Sequence, residues 1–160
     1  MTPVAMIGLA TLGSAALLAA AFGFQYIGGF LPCAMCLWQR WPHVAAIAIG
    51  AVGIALPRAW IAGLGALTMA GNASLGLYHT GVERNWWDGP NVCGGSAAQD
   101  LGGMSGADLL DFGTGPQIVL CDEAALHILG LSMASWNALA CAALALLWLF
   151  AARRGAVSDS

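Results

Sequence analysis

Four apolar runs, broken by one long polar stretch, set the pattern of this chain. The first run, residues 4–27, carries no charge and holds a single amide, Gln25, near its far end. About 20 apolar residues cross the hydrocarbon core of a bilayer, so this run predicts a spanning helix. A cleaved signal peptide is the competing reading, with Ala19, Ala20 and Ala21 as small residues for a cleavage site. No Lys or Arg precedes the run, however, and it is longer than the apolar region of a signal. Runs at about residues 41–56, 60–78 and 131–152 predict three further spans. Pro57 and Arg58 leave room for only a short turn between the second and the third. Small residues recur at every fourth position in the first run (Thr11, Ala15, Ala19, Gly23) and in the third (Ala62, Ala66, Ala70, Ser74). Each set predicts a face for close helix contact. Asn72, inside the third run, is expected to face another helix, because an unpaired amide in lipid is costly.

Between the third and fourth runs, about residues 81–130, the character changes. Glu83, Asp88, Asp100, Asp108, Asp111, Asp122 and Glu123 lie here among many glycines, which predicts an aqueous loop. A connection of this length points to a functional role. Residues 105–108 read as a capping box, and Leu109, Leu110 and Phe112 as a short helix lying on the membrane surface. A shorter polar stretch covers about residues 28–40. The expected fold is an all-α membrane protein: a four-transmembrane-helix bundle with two outer loops, forming a single integral membrane domain over residues 1–160.

Composition narrows the class further. The chain is 59% hydrophobic and 8% charged, against about 25% charged in soluble domains. It has no Lys, and its net charge of −3 argues against nucleic acid as a partner. Four spans place both termini on one side, together with Arg58, Arg153 and Arg154, and leave Arg40 and Arg84 on the other. The excess of positive charge favours cytoplasmic termini. Cys33, Cys36, Cys93 and Cys121 then face the outside, where disulfides persist.

The candidate chemistry centres on Pro32-Cys33-Ala34-Met35-Cys36-Leu37-Trp38-Gln39-Arg40. A Cys-x-x-Cys pair admits three readings: a redox pair, a structural disulfide, or half of a zinc site. If Cys36 opens a helix, its thiolate sits near the positive end of the helix dipole. Arg40 then follows one turn later on the same face. His43 and His127 read as structural, and Cys141 as a small buried residue. Trp86 and Trp87 fit an interfacial aromatic belt.

Taken together, these residues resemble the DsbB family, bacterial inner-membrane oxidoreductases that use quinone to reoxidise a periplasmic dithiol oxidase. The resemblance rests on Cys33-Ala34-Met35-Cys36 with Gln39-Arg40, and on Tyr78-His79 with Trp86-Trp87-Asp88-Gly89-Pro90 and Cys93. It continues through Cys121-Asp122 and Leu129-Gly130-Leu131-Ser132-Met133-Ala134-Ser135-Trp136-Asn137. Cys141 departs from the pattern without touching a motif position. The resemblance implies a bacterial inner-membrane location, a DsbA-like periplasmic thiol oxidase as partner, and a quinone (ubiquinone or menaquinone) as cofactor. It implies that the partner's thiolate attacks Cys93 of a Cys93–Cys121 disulfide, that Cys121 exchanges with Cys33, and that Cys36 then meets the quinone. Arg40 would polarise a quinone oxygen, and His79 would lie near the same site. No metal is assigned. Two alternatives differ in class. A membrane thiol oxidoreductase of the vitamin K epoxide reductase type also has four spans and a Cys-x-x-Cys, but later in the helix order. A non-enzymatic membrane subunit would use Cys and His to bind a metal.

Overall fold

The computed structural model describes residues 1–90, 93 and 120–158. Four helices dominate it: α1 (Pro3–Tyr26), α2 (Ala34–Ala55), α3 (Ala59–Glu83) and α4 (Met133–Ser158). A two-stranded antiparallel hairpin, β1 (His127–Ile128) and β2 (Leu131–Ser132), immediately precedes α4. Thr2 caps α1, its hydroxyl accepting the Ala5 N–H at 3.2 Å, with Pro3 in the first turn, where a missing N–H costs nothing. The expected loop helix near Leu109, Leu110 and Phe112, and the capping box at residues 105–108, lie outside the described residues.

The helices form a ring in which α1 packs on α2 and α4, and α3 packs on α2 and α4. At one end the Arg154 guanidinium donates to the Met1 carbonyl at 3.1 Å, and Gly155 lies against Ala59. Both termini and the α2–α3 turn therefore share that end. The core between them is built from Met6, Ile7, Ala10, Ala46, Ala62, Met69, Ala73, Cys141, Trp148 and Ala151. Gly65 makes room for the buried Trp148 indole, and Gly76 brings α3 against Ala138 of α4, where a Cβ would stand 3.0 Å from the Ala138 side chain.

The small-residue faces differ from those expected. On α1 the buried positions are Met6, Ile7, Ala10 and Ser14, while Ala19 is exposed. On α3 they run through Ala62, Gly65, Met69, Asn72, Ala73, Gly76 and Thr80, while Ala70 and Ser74 are exposed. With 3.6 residues per turn, a strict every-fourth stripe drifts by about 40° at each step. The packed face therefore alternates steps of three and four. Asn72 does face its neighbours, donating to the Gln39 carbonyl of α2 at 3.1 Å and to Cys141 Sγ of α4 at 3.3 Å.

Two helices, α1 and α4, are long and apolar enough to cross a membrane. The polar residues of the bundle concentrate on α2 and α3, which carry Gln39, Arg40, His43, Asn72, His79 and Glu83. All four helices nonetheless turn large apolar side chains outward, among them Leu12, Trp41, Leu67 and Leu146. Helix α2 runs through Pro42 without ending, and α3 continues about five residues past its expected limit, to Glu83. That extension carries His79 and Glu83 on the last turns of α3 toward the start of α2.

Candidate functional site

The site forms where α2 begins. This helix opens at Ala34, with Cys33 as its N-cap in extended geometry. The Cys33 sulfur accepts the backbone N–H of Cys36 at 3.2 Å, the role an Asp or Ser oxygen plays at other helix starts. The start lies earlier than the expectation that Cys36 opens the helix, and it changes which thiol is favoured as a thiolate. The two sulfurs lie 3.0 Å apart, with Cys36 as donor to Cys33. The Cys36 thiol's hydrogen bond, helped by one from His79, holds Cys33 well below the usual thiol range despite burial. Cys36 is pushed upward because its proton serves Cys33 and because it is buried.

His79, on α3, completes this group. Its Nε2 lies 3.5 Å from Cys33 Sγ and 3.9 Å from Glu83 Oε1. The other ring nitrogen, Nδ1, lies 2.7 Å from the side-chain nitrogen of Gln39. Asn137 of α4 donates to Gln39 Oε1 at 2.7 Å, and its own oxygen lies 3.0 Å from His43 Nε2. Buried polar groups of this kind stand only when paired. Gln39, Asn137 and His43 thus join the site in space; Gln39 and Asn137 stood in the motif stretches without a role of their own, and His43 read as structural.

Beside the thiols lies a cavity of about 260 Å³. Its walls are mostly apolar, with Leu17, Leu18, Ala21 and Phe24 from α1 and Phe30 and Leu31 from the connection that follows. Cys36, Arg40, His43 and His79 also line it, and Cys33 does not. Arg40 donates to Gln25 Oε1 at 2.7 Å and stands 4.8 Å from the centre of the Phe22 ring. Its guanidinium is thus oriented by α1. This arrangement fits a flat ring with polar oxygens: apolar walls on one side, a guanidinium, an imidazole and a thiol on the other.

The second cysteine pair, Cys93–Cys121, is a disulfide. It is buried, at 8% and 1% exposure, and packs in one cluster with Cys33, Met35 and Val82. The expectation placed Cys93 in an open loop. Instead, the Cys93 N–H donates to the Pro90 carbonyl at 2.8 Å, and Gly89, the residue before Pro90, lies against Val82. Trp87 covers the end of α3, stacked on Tyr78 with ring centres 5.8 Å apart and donating to the Tyr78 carbonyl at 2.9 Å. Both Trp86 and Trp87 keep exposed surface.

Comparison with known proteins is consistent with this geometry. The chain matches the family described as "Disulfide bond formation protein DsbB" over residues 4–151. It is 31% identical over 139 residues to disulfide bond formation protein B 2 of Pseudomonas aeruginosa, covering 79% of this chain and 76% of that one. It is 29% identical over 162 residues to disulfide bond formation protein B of Verminephrobacter eiseniae, covering 96% and 88%. An uncharacterized protein of Rickettsia prowazekii is 27% identical over 124 residues, covering 76% and 72%. No solved structure matches significantly.

Proposed function

The chain belongs to the DsbB family of membrane disulfide bond formation proteins, and from that premise we propose that it reoxidises a DsbA-like periplasmic dithiol oxidase and passes the electrons to a membrane quinone. The observation that carries this reading is a division of labour between adjacent thiols. Cys33 lies in the buried cluster with the Cys93–Cys121 disulfide and does not reach the cavity, while Cys36, packed against that cluster, also lines the cavity. Disulfide exchange proceeds by attack of a thiolate on a disulfide sulfur. Cys33, favoured as the thiolate, is the better leaving group when Cys93 displaces it from Cys121, and the proton-bearing Cys36 is held on the cavity side.

These positions support the order of events that the family resemblance implies. A partner thiolate attacks Cys93, and the electron pair leaves on Cys121. The partner's second thiolate displaces Cys93 and leaves the partner oxidised; Cys121 attacks Cys33 of the Cys33–Cys36 disulfide and releases Cys36, and Cys93 then attacks Cys121, which re-forms Cys93–Cys121 and releases Cys33. A quinone in the cavity would supply a two-electron, two-proton acceptor, which regenerates Cys33–Cys36 as a disulfide. Arg40 would hold a ring oxygen, and His79 keeps a proton donor beside the thiol pair. Because Cys93 is only 8% exposed, the partner must open its packing against Val82 to reach it.

Four spanning helices with cytoplasmic termini fit this scheme. The outward apolar side chains on all four helices support it, and so does the shared end of Met1, Ala59 and Arg154. Reporter fusions after residue 158 and within the α3–α4 connection should then report opposite sides of the membrane. The reaction itself is tested by reoxidation of a reduced DsbA-like protein by purified enzyme, with and without quinone. Turnover only with quinone supports the scheme, and quinone-independent turnover contradicts it.

One observation favours a second reading. Cys33, Cys36 and His79 place ligand atoms within 4.8 Å of one another, a set suited to a soft metal ion. Stoichiometric metal in protein purified with its thiols reduced would favour that reading over the redox one.

A further inference from the structure

The path from Cys33 into the bundle is a directed hydrogen-bond chain. His79 Nδ1 receives the Gln39 amide, Gln39 Oε1 receives the Asn137 amide, and Asn137 Oδ1 faces His43 Nε2. Each amide offers one oxygen that only accepts and one nitrogen that only donates. The orientation of Gln39 is pinned, because its nitrogen also lies 3.4 Å from the Met35 carbonyl, which only an N–H can satisfy. With that nitrogen aimed at His79 Nδ1, a neutral His79 must carry its proton on Nε2. That proton points at Cys33 Sγ, 3.5 Å away.

We propose that Asn137 is a positioning residue for the thiol chemistry: through Gln39 it holds His79 as the Nε2–H tautomer that donates to Cys33. The link spans three helices. Asn137 on α4 fixes the Gln39 carbonyl on α2, and Gln39 in turn fixes His79 on α3. Neither amide titrates, so the chain transmits orientation rather than charge. The groups facing His79 and Cys33 are Cys36 and Gln39 from α2 and Glu83 from α3, with the Cys93–Cys121 disulfide packed alongside. At the far end stand His43 and Cys141, whose sulfur lies 3.6 Å from both His43 Nε2 and Asn137 Oδ1. His43 Nδ1 is buried with no hydrogen-bond partner among the described residues. The chain therefore ends on a bare acceptor, as its direction requires.

Asn137→Asp reverses this direction. A carboxylate at that place has no N–H for Gln39 Oε1, and its charge is held by the neighbouring His43. Gln39 must turn its nitrogen toward residue 137, which aims its oxygen at His79 Nδ1. His79 then takes its proton on Nδ1 and presents a lone pair to Cys33, which disfavours the thiolate. Two readouts follow, both made on reduced protein without quinone or partner. In ¹⁵N NMR of the His79 ring, the unsubstituted protein should show Nε2 protonated and Nδ1 bare, and Asn137→Asp should show the reverse. In alkylation of Cys33 mapped by mass spectrometry, Asn137→Asp should shift the pH profile upward by on the order of one unit, about a tenfold slower reaction on the acid side of the midpoint.

The inference rests on the reading of Cys33 as the exchanging thiolate. Since neither readout involves turnover, its failure leaves the quinone-linked reading standing. The deciding control is a cycle with His79→Ala. If Asn137 acts through His79, Asn137→Asp has no further effect on Cys33 in that background. A shift that persists there, an unshifted profile in the single variant, or an Nδ1-protonated His79 in the unsubstituted protein would each overturn the proposal.

Discussion

The two ends of the bundle solve different problems with the same four helices. At the end that holds the termini, Ile7, Met69, Ala151 and Trp148 close a dry core in which glycines set how near the helices approach. At the other end Cys33, Gln39 and His79 are nearly as deeply buried, yet with the half-buried Asn137 they meet through directed hydrogen bonds. The first end tolerates any side chains that fill the space. The second requires particular donors and acceptors, since an unpaired buried group there costs about 1–3 kcal/mol. The comparison teaches that stability and chemistry are separable in this fold, and substitutions should sort accordingly.

The largest effect belongs to the thiol end. Cys33→Ser removes the sulfur that joins Cys121 in the proposed exchange and should lower turnover by about a thousandfold or more, with the helices still folded by circular dichroism. Residual turnover near the unsubstituted rate would mean that Cys36 alone carries the exchange, and the division between the two thiols would fail. Arg40→Ala comes next. Losing a charge-assisted hydrogen bond of about 1.5–3 kcal/mol raises the apparent KM for quinone about ten- to a hundredfold. Arg40→Lys should raise it less, because charge survives but the forked geometry does not. An unchanged KM in Arg40→Ala would make that side chain an anchor for Gln25 and Phe22 only.

The reverse case lies at the dry end. Gly65→Val drives a side chain into the Trp148 ring and should cost about 1–3 kcal/mol of stability. The reactivity of Cys33 in the folded fraction should not change. Altered thiol reactivity would show the two ends to be coupled. The smallest effect concerns pH. A thiol near its ordinary pKa of about 8.5 reacts faster as pH rises toward that value. Cys33, held well below that range by Cys36 and His79, is already ionised near neutrality. Its alkylation rate should therefore stay flat between about pH 6.5 and about pH 8.5 and fall only under acid conditions. A steep rise across that interval would remove the thiolate assignment.

The dry end was legible in the sequence in outline, and the thiol end only in part. Long apolar runs located all four helices, because burial or lipid contact needs little beyond hydrophobicity and length. The contact faces were misplaced, because a stripe of small residues such as Ala62, Ala66 and Ala70 does not follow the 3.6-residue turn. The cysteines, Arg40 and His79 could be named from their motifs. The start of α2 could not be fixed, since either cysteine can precede a helix and only the Cys33 cap hydrogen bond separates the two cases. The Gln39–Asn137 pair lies 98 residues apart in sequence, and no local signal joins them. The hairpin before α4 was also missed. Its turn places Leu129 and Gly130 at positive φ, 52° and 80°, and leucine carries no turn signature.

The central claim is that Cys33 and Cys36 connect the Cys93–Cys121 disulfide to a quinone in the adjacent cavity. The most direct measurement is a single turnover of Cys93→Ser protein with Cys33 and Cys36 reduced, mixed with one equivalent of quinone and no partner protein. The account expects one hydroquinone per chain and a Cys33–Cys36 disulfide by peptide mapping, with no turnover of a reduced DsbA-like substrate. Failure to oxidise that pair, or continued turnover of the protein substrate without Cys93, would contradict it.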